Sequence, residues 1–91
     1  MSRKNPLNEK ILNRLLKDIE ESGEIENFKK IKEEDLILLH PTLGRYIRNT
    51  FMFGKENKSF MKDYSGENED ELSFEIIQNF QKYLNGDVYD K

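Results

Sequence analysis

Residues 68–86, NEDELSFEIIQNFQKYLNG, decide the fold class. Asn68 is a good helix N-cap, Glu71 stands three residues on as a capping-box partner, and Glu69, Asp70 and Glu71 fill a first turn whose free N–H groups favour negative charge. Leu72, Ile76, Ile77, Phe80, Tyr83 and Leu84 then recur at the three-and-four spacing of one helical face. Asn85-Gly86 stops the pattern. A helix with so broad an apolar stripe has to bury it, so the rest of the chain must supply the cover.

Working back from that helix, residues 5–23, NPLNEKILNRLLKDIEESG, carry a second stripe of Leu7, Ile11, Leu12, Leu15, Leu16 and Ile19. Asn5 is the expected cap, Pro6 the first helical residue, and Gly23 the stop, because glycine accepts the left-handed conformation. EIENFKKIK (24–32) spaces Ile25, Phe28 and Ile31 for one or two turns, and EEDLILLH (33–40) reads as a short buried helix around the dense run Leu36 to Leu39. Pro41 lacks a backbone donor and disfavours helical geometry at His40, so a boundary or kink is expected there. The next helix restarts near Pro41 with Leu43, Tyr46, Ile47 and Phe51 on one face, and Phe60, Met61 and Tyr64 anchor a segment between loops at Gly54 and Ser65-Gly66. Nothing alternates as a strand does. The expectation is an all-α, compact single-domain bundle of four to six helices over residues 5–86, with a flexible N-terminus (1–4) and a flexible acidic tail (87–91).

With 91 residues, 36% of them charged and 35% hydrophobic, there is material for one small core and no second domain. The absence of cysteine removes disulfides, thiolate metal sites and thiol catalysis, and fits a reducing compartment. No apolar run approaches the roughly 20 residues of a membrane span, and MSRKNPLNEK lacks a signal-peptide core. A soluble, cytoplasmic protein is expected. Residues 1–33 hold eight basic and seven acidic side chains, net +1; residues 34–65 hold five and four, net +1; residues 66–91 hold two and seven, net −5. An acidic final third argues against general nucleic-acid affinity, which needs clustered cations to displace counterions.

The most patterned stretch is LLHPTLGRYIRNTF (38–51). Gly44 costs an exposed helix interior about 1 kcal/mol relative to alanine, so something is expected to approach it closely. His40, four residues earlier, would lie beside that notch if the helix ran on through Pro41. Arg45 and Arg48 are neighbours three apart, able to clamp a phosphate or carboxylate, or to be pinned by the acidic turn 69–71. Asn49 is placed to hold the helix exit. Arg45, Arg48, Lys55, Lys58 and Lys62 with Phe51 and Phe53 are a thin version of a single-strand nucleic-acid surface, interrupted by Glu56 and Asp63. No metal-ligand spacing, phosphate-cradling glycine loop or nucleophile–base arrangement is present, so neither a catalytic residue nor a cofactor is expected.

Two blocks resemble a family of small bacterial domains of unknown function. DLILLHPTLGRYIRN (35–49) is similar to its D-L-x-x-x-H-x-x-L-G-x-x-I-R-N motif, and NEDELSFEII (68–77) to its H-P-D-D-x-S-x-x-I-I helix. His40, Leu43, Gly44, Ile47, Arg48 and Asn49 match the first block, and Asp70, Ser73, Ile76 and Ile77 the second. Asn68-Glu69 replaces the His-Pro, and Phe51, Met52 and Phe53 stand where tryptophans are frequent. The resemblance implies a mainly helical bacterial domain and makes the two blocks contacts of one another, with Arg48 and Asp70 as the expected structural ion pair.

The function expected is that of a non-catalytic protein-binding module, a regulator, immunity or antitoxin-like adaptor of bacterial or mobile-element origin. Its partner is another protein, met by the acidic C-terminal region with Tyr83, Asp87, Tyr89 and Asp90. The alternatives are binding of a phosphorylated small molecule around His40, Gly44, Arg45, Arg48 and Asn49, or of RNA along that arginine face and the lysines of 55–62.

Overall fold

Helix α5, Glu69–Leu84, is the longest element, and the others are laid against it. In the computed structural model, which describes residues 5–64 and 66–86, Asn68 Oδ1 accepts the Asp70 N–H at 2.7 Å and so caps this helix. Leu72, Ile76, Ile77 and Phe80 lie within its buried face. The expectations for 1–4 and 87–91, Asp87, Tyr89 and Asp90 included, fall outside the described residues.

Helix α1, Glu9–Ser22, starts later than Pro6. Asn8 is the cap, its Oδ1 accepting the Ile11 N–H at 2.9 Å. Asn5 is engaged elsewhere: its Oδ1 takes the Leu7 N–H at 2.9 Å and the Asn79 amide of α5 at 2.8 Å. This tie buries Pro6 and Leu7 ahead of the helix. Gly23, at φ 74°, ends α1 as its position predicts.

Helix α2, Ile25–Lys30, sets Phe28 against Phe80 with ring centroids 5.5 Å apart. Its C-terminal carbonyls are closed by α5. The buried Gln81 amide donates to Phe28 O at 3.2 Å and to Ile31 O, and Asn85 Nδ2 donates to Lys29 O at 3.3 Å. Ile31 and Lys32 are extended and lead into a 3₁₀ segment, Glu33–Leu39. Here the structure corrects the expected buried helix. Three residues per turn put Leu36 and Leu39 on one face, with Leu36 buried and Leu39 half-buried, and turn Ile37 and Leu38 out to 51% and 70% exposure.

At His40 the winding changes without a break. His40–Gly44 is wound wide, Arg45–Ile47 (α3) is regular, and Arg48–Met52 is wide again, closing with an i→i+5 bond from Phe53 N–H to Arg48 O at 3.0 Å. The boundary expected at Pro41 is thus a change of pitch inside one helical rod, in which the proline occupies a first-turn position where no donor is missed. Gly54, at φ 93°, then turns the chain into a 3₁₀ turn, Lys55–Asn57, and helix α4, Lys58–Lys62. The buried Asn57 amide reaches back to Thr50 O at 3.0 Å and Phe53 O at 2.6 Å. It does the work expected of Asn49, which lies on the exposed side of the rod. The core joins Ile11, Leu12 and Leu15 of α1, Phe28, Leu36, Ile47, Phe51 and Met52 to the stripe of α5. The domain is all-α, with five α-helical segments among the described residues.

Gln81→Leu keeps the side-chain volume and removes both bonds to α2. Urea denaturation should show a loss of about 1–3 kcal/mol, the cost of carbonyls left without a partner; an unchanged midpoint would mean that water replaces the amide there.

Candidate functional site

Residues 40–48 and the first two turns of α5 meet in one polar knot. Arg48 Nε lies 3.3 Å from Asp70 Oδ1, and Arg48 Nη1 donates to Ser73 Oγ at 3.1 Å. Ser73, fully buried, donates in turn to Asp70 O at 2.8 Å. His40 Nε2 lies 3.2 Å from the same carbonyl and, since a carbonyl only accepts, carries the proton in that bond. The imidazole also stands edge-on to Phe74 at 6.2 Å. Gly44 is the floor: a Cβ there would fall 3.1 Å from His40 Cδ2 and 3.2 Å from Arg48 Nη1, both held by the bonds just described. The glycine therefore admits an imidazole and a guanidinium at once.

Of the residues singled out in sequence, His40, Gly44, Arg48 and Asp70 come together, and Arg45 and Asn49 do not join them. Arg48 turns inward to 15% side-chain exposure, whereas Arg45 is exposed, so the two arginines do not form a clamp. The cause is Asp70 and Ser73, which take Arg48 from one side. Of the two aromatics grouped with the basic set 45–62, Phe51 is core and Phe53 is 47% exposed, which leaves one of them on that surface.

A second polar group went unnoticed in the sequence. Tyr46 donates a short hydrogen bond to Asp18 Oδ2, and Arg14 Nε approaches the same oxygen at 3.5 Å. Together with Leu15, Ile19, Leu43 and Phe80 these residues line an open groove of about 500 Å³. Burial, and then the bond to Asp18, raise the Tyr46 phenol above its ordinary value. Arg14 and Asp18 stand four apart on α1, a pairing visible in sequence, but nothing local ties them to a tyrosine 28 residues away.

A third feature is a shallow groove of about 480 Å³ lined by Lys30, Ile31, Lys32, Asp35, Leu38 and Leu39. It runs along the 3₁₀ segment whose winding exposes Ile37 and Leu38. Among the described residues no three His, Asp or Glu side chains gather as a metal site would need, and no helix is long and apolar enough to cross a membrane.

The model of a family described as a domain of unknown function, DUF6794, matches residues 10–84. The chain belongs to that family. The match takes in both blocks of the polar knot and all three grooved or knotted surfaces of the DUF6794 domain described above. Comparison with curated proteins gave no match, and neither did comparison with solved structures.

The Arg48–Asp70 pair is one-sided, since Asp70 is 61% exposed. Removing the arginine leaves a carboxylate in water, so the roughly 3–5 kcal/mol of an orphaned buried charge does not arise. Arg48→Ala should cost about 1–2 kcal/mol, mainly the Ser73 bond and lost packing, and Asp70→Asn less than about 1, both by urea denaturation. A loss above about 3 kcal/mol for Arg48→Ala would mean the carboxylate is dry.

The sign for Tyr46 follows from its raised value. The neutral phenol donates to Asp18, so this contribution is whole below the unfolded value of about 10 and is lost as pH rises through the higher folded value. The stability difference between wild type and Tyr46→Phe should be constant from pH 7 to 9 and shrink above about pH 10; a difference that holds into that range would place the phenol outside the bond.

Proposed function

We propose that this domain is a non-catalytic protein-binding module that docks its partner on the edge made by Ile37, Leu38 and the groove beside them. The observation that carries the reading is the 70% exposure of Leu38 in the lining of a groove that Ile31 and Leu39 also line, with its sequence neighbour Ile37 exposed at 51%. Single exposed aliphatics are ordinary surface, but one that continues into a groove with two further aliphatics in its lining is what a docking edge requires. Lys30 and Lys32 line the groove against one acid, Asp35. The partner segment this favours carries a large apolar side chain flanked by carboxylates.

This moves the contact away from the acidic C-terminal region. Tyr83 is half-buried against the core, and the other residues expected there lie outside the described residues. A phosphorylated ligand at the arginine face is disfavoured because Arg48 already spends its Nε and Nη1 on Asp70 and Ser73. A cytoplasmic adaptor, immunity protein or antitoxin of bacterial origin fits a module of this size that works by occupancy alone.

A display library of peptides pairing Leu, Phe or Tyr with flanking Asp or Glu supplies the test. Selected peptides should bind wild type at least tenfold more tightly than the full-chain variants Leu38→Ser and Lys30→Glu/Lys32→Glu, about 1.4 kcal/mol. Equal affinity for the variants would locate docking elsewhere, and selection of basic peptides would return it to an acidic face.

A further inference from the structure

The 3₁₀ segment Glu33–Leu39 divides its side chains among three faces, because residues three apart eclipse one another. Leu36 and Leu39 fall on the core face. Asp35 and Leu38 share the face that lines the groove beside Lys30 and Lys32. Glu34 and Ile37 share the third, which lies outside that lining and is turned to solvent. The segment is thus a groove wall and, one face round, a ridge: an aliphatic side chain at 51% exposure with carboxylates beside it. Lys29 is paired with Glu26 at 3.8 Å, whereas among the described residues no ion pair holds Lys30, Lys32, Glu33 or Glu34.

We infer that the occupant of the groove is a second copy of this chain, the Glu33–Glu34–Ile37 ridge of each copy seated in the Lys30–Lys32–Leu38 groove of the other. The inference rests on the docking reading and names its partner. That groove favours an apolar side chain flanked by carboxylates, and the chain bears this chemistry on the adjoining face. Since each copy presents both halves, a twofold axis running between ridge and groove satisfies both at once and makes every contact twice. Charge complementarity selects this occupant. Across the axis the two ammonium groups of one groove face Glu33 and Glu34 of the other copy, and Asp35 is the one acid in the lining. Without such local pairing, two chains of net charge −3 repel. The arrangement also accounts for Ile37, which lines no groove of its own copy and here fills the other's, against Ile31 and Leu38.

Sedimentation of the full chain between about 1 µM and 1 mM should show a monomer–dimer equilibrium. The charge-reversed variants Lys30→Glu/Lys32→Glu and Glu33→Lys/Glu34→Lys should each weaken self-association by about tenfold or more, because like charges then meet across the axis. Mixed one to one, the two variants should form a heterodimer, since both sets of contacts again join opposite charges; that recovery also shows each variant to be folded. In a half-labelled wild-type sample, isotope-filtered nuclear Overhauser contacts should join Ile37 methyls of one copy to Ile31 or Leu38 methyls of the other. A chain monomeric across the whole range, a dimer indifferent to both variants, or variants that stay apart on mixing each overturn the inference. A monomer that still binds the selected acidic–apolar peptides overturns it and leaves the docking reading standing. A dimer recovered on mixing, with no peptide selected, sustains the inference and defeats docking of a foreign partner.

Discussion

The burial of one face of α5 is the constraint on which the remaining structure depends. Leu72, Ile76, Ile77 and Phe80 need cover along three turns, and the described residues have one other long helix to offer. The cover is therefore assembled from pieces: α1, the short α2, a 3₁₀ segment and a rod of mixed pitch. Elements of three to seven residues do not hold themselves together, since helix nucleation is unfavourable and few hydrogen bonds follow it. Their order comes from docking on α5, which makes the helix both core and template.

Short elements leave many backbone groups at their ends without partners, and amide side chains take up that role here. Gln81 closes α2, Asn85 reinforces it, Asn57 closes the rod, and Asn5 links the entry of α1 to Asn79 of α5. Each bond joins a side chain to a helix end or to a distant amide, so each specifies a relation between elements as well as satisfying a group. Ser73 and His40 act likewise on the Asp70 carbonyl. Among the described residues no buried side-chain nitrogen or oxygen lacks a partner, which is what allows so irregular an arrangement to be a folded one.

These facts explain what could be read in advance. The helices α1 and α5 were legible because stripes of Ile and Leu at helical spacing and the signals Gly23 and Asn68 act locally. The start of α1 was not, because Asn5 is held by Asn79, 74 residues away, and Asn8 takes the cap. The run Leu36 to Leu39 looked buried throughout, since apolar content does not reveal winding; at three residues per turn it divides into a core half and an exposed half. In the polar knot, Gly44 and Arg48 stood out as departures from ordinary helix chemistry, and a resemblance in two blocks brought Asp70 beside them. The Arg14–Asp18–Tyr46 group had no comparable mark, because a tyrosine in an apolar stripe looks like any core aromatic until its hydroxyl is placed.

The knot and the exposed edge are mechanically one unit. His40 follows directly on Leu39, and its bond to Asp70 O fixes the end of the 3₁₀ segment to the capped, acidic first turn of α5. Leu36 anchors the middle of that segment in the core. Ile37 and Leu38 are thus presented on a backbone held on both sides, one residue from a buried leucine and two from a tethered histidine. An apolar edge so restrained loses little conformational freedom when it is covered, which raises the return from a small contact area. The same restraint accounts for the gathering of Arg48 and His40 at Gly44. Their bonds position the edge, so a partner of the kind proposed would meet a surface that is already ordered.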